Sequence, residues 1–265
     1  MQNSIDFLQA NFYIIKDMGW IKSLRKGPTG IGYTFESLLG KCEDSFSIPD
    51  FDNIEIKTHR KKSKSRINLF NCNPIGNTSY EIKRIFEKYG YKSIKDKNKK
   101  VLYCSVYSNC IMNVGLSYKF SLRVDYVNRR VYLFVFDRIG LFIEKESYWD
   151  FDTLMDKLYS KMKILAYIEA DSKYINNCEY FMYNEIIFYR LKGFDTFIDL
   201  LDKGIININF KVGGYIDEKL SLIDSHGVSF CIKSTNLNLL YDCICWWFGS
   251  GLHKKDSYSM SLFIF

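Results

Sequence analysis

Apolar and polar positions along the chain follow two periods, one helical and one of two residues. Residues 1–26 read as a single amphipathic helix running into "MGWIKSLRKG", and "GPTGIGY" (27–33) follows as a glycine-rich loop. "TFESLLG" returns to helical spacing. Phe35, Leu38 and Leu39 form its apolar stripe, Thr34 is placed to cap it and Gly40 to stop it, while Glu36 stands off the stripe. At 53–58 the period becomes two. Strand side chains alternate faces, so Ile54 and Ile56 are expected to enter a core. Glu55 and Lys57 would then stand together on the other face, with Asp50 delivered from the turn before.

Further along, "RINLFNC" reads as a strand and 79–91 as a helix. "KVLYCSVYS", "LSYKFSLRVDY" and "RRVYLFVFDR" read as strands, the last two joined as a hairpin through "VNR". Residues 150–163 are helical, "ILAYIEA" is a buried strand, "GFDTFIDLLDKG" a helix and "IININFKVGGY" a strand. The closing "HGVSFCIKSTNLNLLYDCICWWFG" reads as strand, loop and helix. No repeat or low-complexity linker interrupts the chain. This mixture of strands and helices predicts an α/β or mixed α+β fold.

Composition narrows the class. With 265 residues the chain can build one large domain or two lobes. Hydrophobic residues at 47% and charged residues at 25% are those of a globular protein. Lys+Arg 37 against Asp+Glu 30 gives a net charge of +7, compatible with a polyanionic partner without requiring one. The clustering says more: "HRKKSKSR" (59–66) directly follows the acidic strand, and "KDKNKK" (95–100) comes later. Eight cysteines without a C-x-x-C pair, beside three histidines, argue against a zinc site. They read as reduced thiols in a cytoplasmic protein. Neither a basic leader nor an apolar run of ~18 residues is present, so a soluble, intracellular chain with no membrane partner is expected.

Asp50, Glu55 and Lys57 admit two readings. An acid–lysine alternation on an exposed strand edge is often a cross-pair worth about 0–1 kcal/mol. The other reading is a metal-dependent phosphodiesterase. Mg²⁺ prefers oxygen ligands, which the carboxylates of Asp50 and Glu55 and the backbone carbonyl of Ile56 would supply. The ion would polarise the phosphoryl group and acidify a water, while Lys57 offsets the developing charge. Arg60, Lys61, Lys62, Lys64 and Arg66 lie just downstream, either as a solvated loop or where a DNA backbone would pass. A nucleotide-binding P-loop is absent, since Gly40-Lys41 is followed by Cys42 and position 35 is not glycine. Trp246, Trp247 and Phe248 suit a packed helix end better than base stacking.

The stretch "GPTGIGYTFESLLGKCEDSFSIPDFDNIEIKTHR" (27–60) resembles the start of the MvaI/BcnI-like type II restriction endonucleases, relatives of the mismatch-repair nicking enzyme MutH. The shared pattern is a G-x-T-G-I-G-x-T-[LF]-E-x-x-L-G block, met here from Gly27 to Gly40, followed by Pro49-Asp50 and Glu55-x-Lys57. The resemblance implies a PD-(D/E)xK core with a second DNA-recognition lobe, a catalytic lobe over 1–165 and a recognition lobe over 166–265. It implies Asp50, Glu55 and Lys57 as the catalytic set, with Asp52 competing as first acid, and Glu36 as a helix-borne acid near the metal. "IDSHGVSFCI" resembles the family's base-reading stretch, which makes His226 a base-contacting residue. Ser225 and Cys231 depart from that pattern where aspartate and arginine are usual, and Lys211 and Lys233 are candidate substitutes. The implied activity is Mg²⁺-dependent, sequence-specific cleavage of double-stranded DNA. The enzyme would act as a monomer nicking each strand in turn at a short CC-x-GG-like site, with a companion methyltransferase protecting the host. A MutH-like nicking enzyme is the alternative. A DNA-binding protein without catalysis is less consistent with all four acidic and lysine positions being present.

Overall fold

The computed structural model describes residues 2–40, 53–78, 80–215 and 222–244, the last segment by backbone alone over 222–226. In chain order the elements are α1 (Gln2–Asp17), β1 (Ile21–Lys22), α2 (Gly30–Leu38), β2 (Ile54–Arg60), β3 (Arg66–Asn71) and α3 (Glu81–Tyr89). Then come β4 (Tyr91–Lys92), β5 (Lys99–Val106), β6 (Met112–Val114), β7 (Tyr118–Asp125), β8 (Arg130–Asp137), β9 (Phe142–Glu144) and β10 (Tyr148–Asp150). They are followed by α4 (Phe151–Lys161), β11 (Ile164–Ile175), β12 (Cys178–Leu191), α5 (Phe194–Asp202) and β13 (Asn207–Tyr215). β14 (Leu222–Lys233), α6 (Leu237–Leu240) and β15 (Tyr241–Cys243) complete the described chain. The fold is mixed α+β, as the alternating periods predict.

Three sheets organise these strands. The first runs β1-β12-β11-β2 with β15 added to β12; the second runs β3-β14-β13-β5-β4; the third runs β10-β8-β7-β6 with β9 on β8. β2 pairs with β11 in parallel, setting Glu55 opposite Leu165 and Lys57 opposite Tyr167. The parity expected for β2 is observed. Ile54 and Ile56 pack with Ile164, Ala166 and Ile168 against Ile5, Leu8 and Phe12 of α1 and Ile31 and Phe35 of α2. On the opposite face Leu165 and Tyr167 join a larger core with Leu154 and Leu158 of α4 and the inner faces of the other two sheets. Each fully buried side chain of Phe or Leu size contributes about 1.5–3 kcal/mol, so β2 and β11 are held from both sides.

Several expectations are corrected. The first helix stops at Asp17, where Gly19 takes φ +68, and residues 21–22 pair with β12 instead of continuing the helix to 26. α2 begins at Gly30, inside the segment expected to be a loop. Thr34 therefore does not cap it; its buried hydroxyl accepts the Leu24 N–H at 3.0 Å. Gly32 lets the helix lie close to β2, since a Cβ there would stand 3.3 Å from Thr58 Oγ1, a tight contact. β12 was not anticipated. The boundary expected at 165/166 falls inside β11, and the first sheet takes strands from both ends of the chain, so one cut does not separate the sheets. The tryptophan pair lies outside the described residues. Among the described residues no helix is long and apolar enough to cross a membrane.

Candidate active site

Among the described residues β2 pairs with β11 and stands last in its sheet. Glu55 is 1% exposed and Lys57 24%, and the Lys57 ammonium donates to Glu55 Oε1. A second ammonium, that of Lys161 at the end of α4, lies 3.4 Å from the same oxygen. Burial of this pair extends to its surroundings. Tyr241 is pushed well above the usual phenol range by its own burial and further by the Glu55 charge.

Glu36 reaches β2 from α2. Gly32 leaves the space in which Glu36 Oε1 and Thr58 Oγ1 approach one another, each 3.4 Å or less from where a Cβ would stand. Glu36, Ile56, Lys57, Thr58 and Arg25 line one cleft of about 310 Å³. Arg25 holds its guanidinium 3.9 Å over the Tyr33 ring at the rim. Glu36, Glu55, Ile56 and Lys57 are thus gathered around one strand segment. Asp50 and Asp52 lie outside the described residues.

The basic residues separate into two kinds. Arg60 is committed to the protein: it makes a bidentate pair with Glu179 at 2.7 and 2.8 Å and donates to the carbonyls of Pro28 and Gly27 at 2.9 and 3.3 Å. It pins the glycine-rich segment to β2 and does not present its guanidinium as a free grip for phosphate. Lys61, Lys62 and Lys64 are exposed on the connection to β3. Arg66 is half-buried, donates to the Ile205 carbonyl at 3.2 Å and stacks over Tyr107.

Arg66 faces Lys233 across the β3–β14 ladder, and Lys211 is exposed on β13 opposite Tyr103. The same face of the second sheet carries a polar chain. Asn207 and Ser105 each donate to Asn209 Oδ1 at 2.7 Å, and Asn209 Nδ2 lies 3.2 Å from Cys231 Sγ. Burial raises the Cys231 thiol pKa, so the thiol stays neutral where the family pattern has a cation. The backbone of His226 lies in β14, and its side chain lies outside the described residues.

Sequence reasoning did not find Lys161, Arg25 or Glu179. Glu179 sits on the unanticipated β12, and Lys161 meets Glu55 only because β11 pairs in parallel beside β2. Among the described residues no three His, Cys, Asp or Glu side chains converge as a metal cluster. The donors near β2 are nevertheless hard oxygens, and two ammonium groups already stand where positive charge is needed at Glu55. That chemistry fits a hard divalent cation.

Comparisons with known proteins bear on the fold and the family. The solved structure of restriction endonuclease MvaI in complex with cognate DNA matches at TM-score 0.83 and 32% identity, over 92% of this chain and 98% of that one. MvaI in the absence of DNA matches at TM-score 0.58 and 31% identity, over 92% and 97%. A comparison with curated proteins gives no match. The fold is therefore that of a restriction endonuclease. The family model for the MvaI/BcnI restriction endonucleases matches residues 9–241, and the chain belongs to that family. Its class of activity is nuclease action on DNA.

Proposed function

We propose that the protein is a Mg²⁺-dependent type II restriction endonuclease that hydrolyses double-stranded DNA at a short specific site and works as a monomer. The observation that carries this reading is the Glu55–Lys57 pair on β2, its carboxylate buried, with Glu36 lining the cleft beside Lys57. Glu55, Asp50 and the Ile56 carbonyl would hold the cation. When bound, it polarises the phosphoryl oxygen and lowers the pKa of the attacking water. Lys57 orients that water and offsets charge on the phosphorane. Glu36, which lines the same cleft, is the helix-borne acid near the metal in this reading.

Lys61, Lys62 and Lys64 track the DNA backbone, and binding through them weakens as salt rises. Arg66, Lys211, Lys233 and His226 belong to the base-reading side. A neutral Cys231 in place of the usual arginine removes a bidentate guanine contact, so the site departs from CC-x-GG at one position. A cytoplasmic methyltransferase of the same specificity protects the host. The test is digestion of unmethylated phage DNA with Mg²⁺ and, separately, with Ca²⁺ or EDTA, followed by sequencing of the ends. Discrete double-strand ends formed only with Mg²⁺ support the proposal. Nicking confined to hemimethylated sites would replace it with a MutH-like role.

A further inference from the structure

Glu55 carries more positive charge than the proposed chemistry uses. The ammonium groups of Lys57 and Lys161 converge on the same Oε1. Lys57 comes from two residues along β2. Lys161 is the last residue of α4, three residues before β11 begins at Ile164, and β11 places Leu165 opposite Glu55. A lysine in the last turn of a helix ordinarily complements the helix dipole from solvent. Here the side chain is 26% exposed and turns to a carboxylate that is 1% exposed. Leu154, Leu158 and Met162 are fully buried and fix the helix end, so only the side chain of Lys161 has freedom to move.

We infer that Lys161 is a built-in cation on the metal-binding carboxylate, a positioning residue that a divalent ion has to displace. This rests on Glu55 being a metal ligand. An oxygen already shared by two ammonium groups offers little of its lone-pair density to a third cation. A divalent ion bound at about 2.0–2.1 Å from that carboxylate would bring two further positive charges against both lysines. In a partly buried site such repulsion is weakly screened. Lys57 is held close by its own strand and is needed at the phosphoryl group. Lys161, on a four-carbon stem from another element, is the one that leaves. Its displaced ammonium then requires a new anion, and a DNA phosphate entering the site supplies one. Cation and DNA consequently bind better together than either does alone.

The experiment measures Mn²⁺ binding to the full chain by electron paramagnetic resonance, with and without uncleaved DNA, beside a thermal melt. Lys161→Met should bind Mn²⁺ about tenfold more tightly than the wild type without DNA, and the gain from adding DNA should shrink. Lys161→Arg, which keeps the charge, should stay near the wild-type affinity. If Lys161→Met folds poorly, Lys161→Gln provides the same comparison. Unchanged or weaker Mn²⁺ binding in the neutral variants, while Glu55→Gln abolishes it, would overturn the role of Lys161 and leave the site assignment standing. Mn²⁺ binding that survives Glu55→Gln would overturn both.

Discussion

Glu55 and Arg60 lie five residues apart on β2, and each meets a residue of opposite charge, but the consequences of removing them differ. Glu55 is paired with two lysines beside the cleft, so in the proposed site the loss of its carboxylate removes a ligand while the cleft lining remains. Glu55→Ala and Lys57→Ala should each lose nearly all cleavage, while gel-shift assays still detect DNA binding by Lys57→Ala. Appreciable cleavage by the Glu55 variant would remove it from the site. Arg60 is different because Glu179 is buried and depends on it. Arg60→Ala leaves that carboxylate uncompensated, a loss of about 3–5 kcal/mol readable as a lower urea midpoint. Arg60→Lys should recover only part of it, since a point charge cannot replace the bidentate fork. Lys62→Ala should barely move stability and instead reduce the salt dependence of DNA binding by roughly one phosphate.

Between elements, the tightest polar junction joins α3 to the third sheet. Arg84 bridges Glu81 at 2.6 Å and Glu144 at 2.8 Å and donates to Ser147 at 3.0 Å, while Lys88 meets Glu144 at 2.5 Å. Burial opposes ionisation of Glu81 and Glu144, yet hydrogen bonds from Arg84 and Ser147 to the first, and from Lys88 and Arg84 to the second, outweigh it. Both carboxyls are held below the ordinary 4.5. A depressed folded pKa gives stability that is present above the ordinary carboxylate range and lost as pH falls through it. The melting temperature should therefore drop on acidification below that range. Arg84→Met should destabilise strongly at pH 7, where Glu81 stays charged without its cation and Glu144 keeps only Lys88, and less near pH 4, where the acids take up protons. Equal losses at both pH values would show that packing, not charge, dominates this junction. The same scale explains what was legible in the sequence. β2 was readable because Ile54 and Ile56 alternate with Glu55 and Lys57. β12 was not, because aromatic and aliphatic residues occupy both of its faces and erase the period of two. α2 was read too short because its first glycines, Gly30 and Gly32, resemble a loop until the Ser23–Arg25 segment is known to lie against the first and Thr58 of β2 against the second. Glu36, Glu55 and Lys57 were found through local spacing and the family pattern, whereas Lys161 depends on a crossover that no local pattern encodes.

At the scale of the whole molecule, the question is how one chain cuts two strands. A duplex presents two antiparallel backbones, and the catalytic constellation proposed here rests on a single strand, β2. Two such constellations would require a dimer; one requires the enzyme to turn over twice at the same site. The second sheet favours the latter, because its exposed face already carries Lys211, Lys233 and the Asn209 chain within the same polypeptide as the cleft. A single chain can thus hold the duplex from the recognition side while β2 works on one backbone. The arrangement of this chain is more similar to MvaI with cognate DNA, at TM-score 0.83, than to MvaI without DNA, at 0.58. Supercoiled plasmid carrying one site should pass through open circles before linear DNA accumulates, with nicked intermediate building up early in a time course. Sedimentation should give a mass near 31.3 kDa under the same conditions. A stable dimer that converts supercoiled plasmid directly to linear form would mean that two copies of β2 act together, and the single-chain mechanism would have to be abandoned.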